Sequence, residues 1–521
     1  VKSTALTKAG LLAGCLGFGI LASLPALAAK TELTLGAAAV DVGNLDPHYA
    51  SSTSDRILSA WIFGALVRFA PGSTDPATIE ADLAESWQAS DDRLVWTFKL
   101  RPGVKWQHGY GDVTADDVVF SLEKSRDPKR SAFASDYAAF KTIEAVDPQT
   151  VRITLASRVP SMLGLLANYA GGFIIPKKAF EERGEGFRRA PVGFGPFALD
   201  AITAGQAVTF KANEAYFRGK PKLSKITYRF LNNSAARDLA FVAGEVDAAT
   251  GLADQRWLQR TLGNPGVVVD SFDPAELTML HVNMTKPPLD NLKVRQALAY
   301  AIDAAKIAQY RGPRFTRAGR SAIPSNNLGF TENAGAPLHD PAKAKALLAE
   351  AGFPNGLTLT MLASQLPSLE TTAQIIQGQV AESGITLNLQ PVEHATWHQM
   401  IRKDLSPLVM YGAARFPIAD NYLTQFYHSK SIIGTPSAVT NFSHCDVADK
   451  QIEAARGEAD STKQIALWQE AQKLIIGQVC AIPITETGQV WARREKLNWG
   501  FDLKGSMSLG PLVTEQTHFV D

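Results

Sequence analysis

Apolar and polar residues alternate along Thr31–Gly36, Leu94–Leu100 and Leu277–Asn283, the period-two pattern of half-buried strands. A second pattern, apolar residues three and four apart, predicts helices. It runs through Asp55–Phe69 (Ile57, Leu58, Trp61, Ile62, Ala65, Leu66) and again through Val294, Ala297, Leu298, Ala301 and Ile302. Between Leu277–Asn283 and that second helix, Lys286-Pro287-Pro288 stops either element, because proline lacks a backbone donor and has a fixed φ. Asp290 or Asn291 can cap the second helix. Earlier, Leu45–Tyr49 is a turn, Arg101–Trp106 a turn plus strand, and Thr114 opens a capped helix. Later, Asp340-Pro341 caps a helix over Ala342–Ala351 that Gly352 closes. Strand Leu357–Ala363, helix Ala373–Ser383 ended by Gly384, and strand Ile385–Val392 make a β-α-β unit of the kind that builds a mixed sheet. Ile465–Gln478 is a last helix and Val479–Ile484 a strand after it.

At 521 residues the chain is too long for one core, so two or three domains are expected. Apolar content of 45% with 20% charged residues is that of a globular protein. Fifty-two basic against 51 acidic residues leave no electrostatic footprint for nucleic acid, and no run of like charge suggests a polybasic membrane patch.

Residues 1–29 depart from this composition. Lys2 and Lys8 precede an apolar run ending in Ala26-Leu27-Ala28-Ala29, which reads as a secretory signal peptide and places the mature protein in the periplasm. Pro25 and the small-residue end argue against a membrane anchor. Leu12-Ala13-Gly14-Cys15 matches a lipoprotein box, but apolar sequence continues long after Cys15, where a lipoprotein would carry a polar tether. Removing residues 1–28 takes away two lysines and no acids, moving the net charge from +1 to −1. Cys445 and Cys480 remain. An oxidising compartment would let them pair, provided the fold brings them close enough.

The sequence carries no G-x-S-x-G elbow, no P-loop and no C-x-x-C. Gly193-Phe194-Gly195-Pro196-Phe197-Ala198 matches G-x-G-x-x-A, yet Pro196 sits inside it and alternating residues come next, where a dinucleotide site needs a helix. His394 and His398 are four apart, as metal ligands on a helix can be, but lack the Glu of H-E-x-x-H. Neither an enzyme nor a cofactor is indicated.

Two long stretches carry a family resemblance. LTMLHVNMTKPPLDNLKVRQALAYAID (277–303) resembles the N…PP(L/F)-D…(K/R)-V-R-Q-A segment of the dipeptide- and oligopeptide-binding proteins, the family 5 extracellular solute-binding components of ABC importers. LAESW, SDD, WTFKLR, GVKW and TADDVVFS, between 83 and 121, resemble that family's signature, and Val192–Ala198 its P-x-G-T-G-P-(Y/F) turn, with Phe194 in place of Thr. The resemblance spans residues 31–521.

It implies an α/β fold: a two-lobed periplasmic binding protein, type II in its large three-domain variant, with mixed sheets in each lobe. The first lobe would use 31–70, 191–282 and 485–521, a peripheral α+β domain 71–190, and the second lobe 283–484. Such a protein captures a peptide or peptide-like small molecule between its lobes. Its partners would be that ligand and an inner-membrane permease, and it would act as a monomer without cofactor or metal.

The resemblance also implies a site. In the peptide binders a loop reading roughly G-W-x-x-D-x-x-D-P-D-N-F holds the peptide's α-ammonium with its first Asp. Matching Asp420-Asn421-Tyr422 to the end of that motif puts Arg415 in the place of this Asp. Such an inversion of charge favours an anionic ligand, an acidic peptide, conjugate or opine-like derivative, held bidentately. If the loop is shifted by a few residues, Arg415 is instead structural or solvated. Tyr411, Phe416, Asp420, Tyr422, Trp397, Asn441 and the turn Ser51-Ser52-Thr53 complete the expected lining. Two other classes stay open: a metal- or haem-chelate binder, if His48, His394 or His398 converge on the cleft, and a secreted hydrolase.

Overall fold

A computed structural model describes residues 30–50, 52–434 and 440–520. Residues 1–29, where a signal peptide is expected, and with them Cys15, lie outside these residues. At the centre are two long antiparallel strands, Val267–Val282 and Ala481–Arg494. At one end Ala481–Arg494 pairs with Ala248–Thr250, from which the sheet continues through Glu32–Ala37, Lys225–Phe230 and Ala207–Ala212 to Phe197–Thr203. At the other end Val267–Val282 pairs with Leu408–Ala413. Parallel and antiparallel ladders coexist: Glu32–Ala37 runs parallel to both its neighbours, the hairpin strands antiparallel. The two long strands therefore contribute to two cores, Phe272, Leu277, Met279 and Trp491 to one and Leu280, Val282, Ile482 and Ile484 to the other.

The ladder between them shifts register twice, between Thr278 and Met279 and, more widely, where Phe272 faces Gln489 and the next pair is Glu276 with Thr487. Pro274 has no N–H to give. Asp273 turns away to bond the C-terminal segment, through its N–H to Lys504 O (2.9 Å) and its carbonyl to Ser506 N (2.8 Å). A break of this kind re-aims the side chains beside it.

Beyond the crossing, the proline turn and helix form as the residues demand. Asn291 caps helix Leu292–Ala301 by accepting the Lys293 N–H, and Val294, Ala297, Leu298, Ala301 and Ile302 are buried. Leu357–Ser364 and Ile385–Val392 form a separate parallel ladder joined by helix Pro367–Ala381, which begins several residues before the predicted Ala373. These elements share a core that includes Met361, Ile376, Val380 and Ile401. The last helix is Ser461–Gly477, capped by Asp460. Cys445 and Cys480 are bonded, 35 residues apart with Cα atoms at 5.8 Å. The fold thus supplies the proximity that their pairing requires.

A four-stranded antiparallel sheet in the order Ala84–Ala89, Val95–Leu100, Thr150–Leu155, Phe140–Asp147 carries helix Ala115–Arg126 on one face. Thr114 and Asp117 make its capping box. A buried ion pair, Lys124 Nζ to Asp46 Oδ2 at 2.9 Å, bolts this unit to the segment after the first strand.

One expectation fails. The helix predicted over Asp55–Phe69 ends at Ile62, and Val67–Phe69 is a strand. The buried face is as expected, with Ile57, Leu58, Trp61 and Ile62 each at most 1% exposed. The stop is tertiary: Gly195 N–H donates to Ile62 O at 2.8 Å, and a Cβ on Gly193 would stand 1.9 Å from the same oxygen. The G-x-G sequence is thus a seat for a helix end. Strand Phe197–Thr203 comes after it, not the helix a nucleotide phosphate would require.

Candidate ligand-binding cleft

Strand Leu408–Ala413 is held in register by Val267–Val282, with Tyr411 opposite Met279 and Gly412 opposite Thr278. The loop after it is pinned to helix Ala419–Tyr427 by one phenol. Tyr422 Oη accepts the Arg415 N–H (3.0 Å) and donates to Ala413 O (2.9 Å). Phe416 then reaches across to the other side, its ring centroid 5.9 Å from that of Phe69, and rests where a Cβ on Gly164 would be 2.2 Å from its Cζ. A second bridge runs from Arg158 Nη1 to Gly457 O at 3.1 Å. The two sides therefore meet.

The half-buried Arg415 lies beside this contact. Its Nε donates to Gln425 Oε1 (2.7 Å), its Nη1 to Ala414 O (3.0 Å), and its guanidinium is 5.4 Å from the Phe426 ring. Among the described residues Nη2 has no hydrogen-bond partner, and no carboxylate lies within 4.0 Å. Two acids act on it from farther away. Asp136, on the short helix Ala134–Tyr137, is solvent-exposed by area yet walled by protein, and this burial pushes its carboxyl up to about 6, with Arg415 pulling the other way. Glu276, where the central ladder resumes, is likewise solvent-exposed by area though walled by protein. Burial raises its carboxyl, opposed by Arg311, then Arg415 and His394. Gly412 leaves Glu276 its place: a Cβ there would stand 2.3 Å from Oε1. Burial lowers the pKa of Arg311, which donates only a long 3.5 Å bond to Thr372 Oγ1.

The other expected residues divide. Tyr411 is half-buried within a ring cluster of Trp397, His398, Phe426 and Phe442. Trp397 is 1% exposed and donates its Nε1–H to Leu362 O. The Tyr422 and Phe416 rings are buried. Asp420 is taken by an ion pair with Arg456 Nε (2.9 Å), and Asn441, fully buried, knits a turn through His428 O, Cys445 O, Cys445 N and Ser443 Oγ. Ser51 lies outside the described residues. Ser52 caps helix Thr53–Ile62, and Thr53 is exposed at its start. One turn on, Arg56 covers the Tyr169 ring at 4.6 Å, and among the described residues its buried Nε has no partner.

Asp136, Glu276, Arg311 and Arg56 were not anticipated from the sequence. None belongs to a motif, and among the described residues none of the four forms an ion pair.

Among the described residues the histidines do not join in a three-ligand metal cluster. His48 is fully buried. Its Nδ1 accepts from Lys124 Nζ (3.2 Å), so Nε2 carries the proton given to Phe173 O (3.0 Å), and burial takes its pKa down to about 4. His394 and His398 have ring centroids 4.6 Å apart, but Ser364 Oγ is 2.8 Å from His394 Nδ1 and Arg402 Nη1 is 3.3 Å from His398 Nδ1. Burial, then the charges of His394 and Arg402, lower the His398 pKa to about 4. Among the described residues no three metal-ligating side chains cluster, and no helix is long and apolar enough to cross a membrane.

Known proteins share this architecture. The family described as bacterial extracellular solute-binding proteins, family 5 Middle, matches residues 78–433. Haem-binding protein A of Haemophilus influenzae is 30% identical over 474 residues, 84% of this chain and 83% of that protein. The solved structure of MoaA from A. tumefacien R10, in complex with mannopinic acid, is 69% identical with a TM-score of 0.86, covering 95% of this chain and all of that one. AgaA from the same source, in complex with agropinic acid, is 25% identical with a TM-score of 0.77 over 94% and 99%. The mixed sheet with its two long central strands and this match place the chain among the family 5 bacterial extracellular solute-binding proteins, the substrate-binding components of ABC importers.

Proposed function

We propose that this protein captures an anionic, peptide-like conjugate of the opine type in the periplasm and delivers it, without turnover, to an inner-membrane ABC permease. The observation that carries the reading is Arg415: a half-buried guanidinium, oriented by Gln425 and Phe426, with no acid in contact among the described residues. An unpaired charge in a closing cleft is costly, and a ligand carboxylate is the partner that would remove the cost. The 69% identity to a protein crystallised with mannopinic acid supports this, as does the likeness to one holding agropinic acid. Closure would expel water and strengthen the Arg–carboxylate bond. By linkage, a ligand closes the lobes only as far as it prefers the closed state.

Thermal unfolding of the wild type and Arg415→Ala with mannopinic acid, a neutral dipeptide and haem tests this. A ligand at 100 times its Kd adds about 2.7 kcal/mol. The expected result is a shift with mannopinic acid that Arg415→Ala loses. A shift with the dipeptide or haem that survives in Arg415→Ala would overturn the reading.

A further inference from the structure

A cavity of about 120 Å³ lies between the end of helix Thr53–Ile62, strand Val67–Phe69, the Gly195-Pro196 turn and the C-terminal segment 505–515. Its walls are largely aromatic, from Phe63, Phe69, Phe173 and Phe194, and it is partly open to solvent. Three charged side chains join them, and two are already engaged. Arg68 is paired with Glu80, Nη2 to Oε1 at 2.8 Å. Asp82 accepts the Ala65 N–H and a bond from Arg218 Nη2, both at 3.1 Å. Glu515 is the third. It is 9% exposed, its Oε2 is buried without a hydrogen-bond partner, and among the described residues its carboxylate joins no ion pair. Other buried acids of this chain have theirs, Asp46 in Lys124 and Glu486 in Arg317.

We propose that this cavity is a second binding site, for a small organic cation whose ammonium pairs with Glu515 and whose hydrocarbon body lies against the phenylalanines. A carboxylate withdrawn from water without a partner is costly, and a bound ammonium would remove that cost. Aromatic walls add to the attraction for a cation. Volume sets the size: a cavity of about 150 Å³ admits benzene, so this one takes a single ring or a short branched chain. The site goes beyond the anionic ligand proposed for Arg415 and does not depend on it, since no residue of Leu408–Tyr427 lines the cavity. Phe69 stands between the two, lining the cavity and keeping its ring centroid 5.9 Å from that of Phe416.

Calorimetry at pH 7 tests this with three rings of matched size, cyclohexylammonium, cyclohexanol and cyclohexanecarboxylate, on the wild type, Glu515→Gln and Ala60→Leu. Ala60 lines the cavity, and a larger side chain there would fill it. The wild type is expected to bind the ammonium about tenfold or more tighter than the alcohol, the worth of one charge-assisted hydrogen bond, and to leave the carboxylate unbound. Glu515→Gln should bring the ammonium down to the level of the alcohol without changing the alcohol. Ala60→Leu should weaken both. The proposal fails if the wild type binds none of the three, or binds the ammonium no better than the alcohol. It fails equally if either variant keeps the full affinity for the ammonium, which would put the amine elsewhere on the protein.

Discussion

Asp136 and Arg415 face one another across the cleft without forming an ion pair, and the carboxyl of Asp136 is pushed up to about 6 despite the arginine's pull. Between the ordinary aspartate value of 3.8 and about 6, the folded protein therefore holds a proton that the unfolded chain has lost. Stability falls as pH rises through this window, and the lost part stays lost above it. Asp136→Asn should flatten that slope and raise stability at pH 7 by about 1 kcal/mol, a figure reduced because the group is open to solvent. Arg415→Ala should move the titration higher. Urea unfolding from pH 3.5 to 8 checks both, and a wild-type profile without the slope would refute them.

The seat of Phe416 on Gly164 has no room to spare. Gly164→Ala puts a Cβ 2.2 Å from Phe416 Cζ and 2.5 Å from Ser161 Oγ. Ligand affinity should drop about tenfold, or 1.4 kcal/mol, through loss of the closed state. Small-angle scattering with ligand should show a larger radius than for the wild type. Unchanged affinity would mean that Phe416 is not a latch.

Lys124 and Asp46 are 1% and 7% exposed at the side chain. Asp46→Asn leaves a buried ammonium without its counter-charge, which should cost about 3–5 kcal/mol. Burial already lowers the Lys124 pKa, and Asp46 opposes that shift. Without Asp46 the lysine gives up its proton more readily, so the deficit should shrink as pH rises. Thermal unfolding at pH 6 and pH 9 would reveal a deficit that fails to shrink.

The bond between Cys445 and Cys480 closes a span of 35 residues. Loop-closure entropy for such a span predicts that replacing both with serine costs roughly 3–4 kcal/mol. The bond holds the turn organised by Asn441, not the loop of Arg415, so ligand affinity of the folded variant should hardly change. Denaturant unfolding and calorimetry separate the two effects.

The secondary elements were largely legible, because burial on one face forces a period and proline, glycine and capping residues punctuate it. Ile385–Val392 falls where alternation puts it, and Asp340 caps the helix it precedes. The helix from Asp55 was over-extended because its stop is a carbonyl claimed by Gly195, 133 residues after Ile62, and no local pattern records such a contact. The site divides the same way. Arg415 stands out by charge against a familiar loop, and Asp420 and Asn441 looked equally eligible beside it. Only the structure shows the latter two occupied, by Arg456 and by a buried turn.

By itself, then, the order of residues determined the elements, the two-lobed α/β plan and one arginine worth testing. Tertiary structure decided which charges go unpaired. Pairing depends on distances between segments far apart in the chain, as between Asp136 and Arg415 or Glu276 and Arg311, and no local pattern of residues records them.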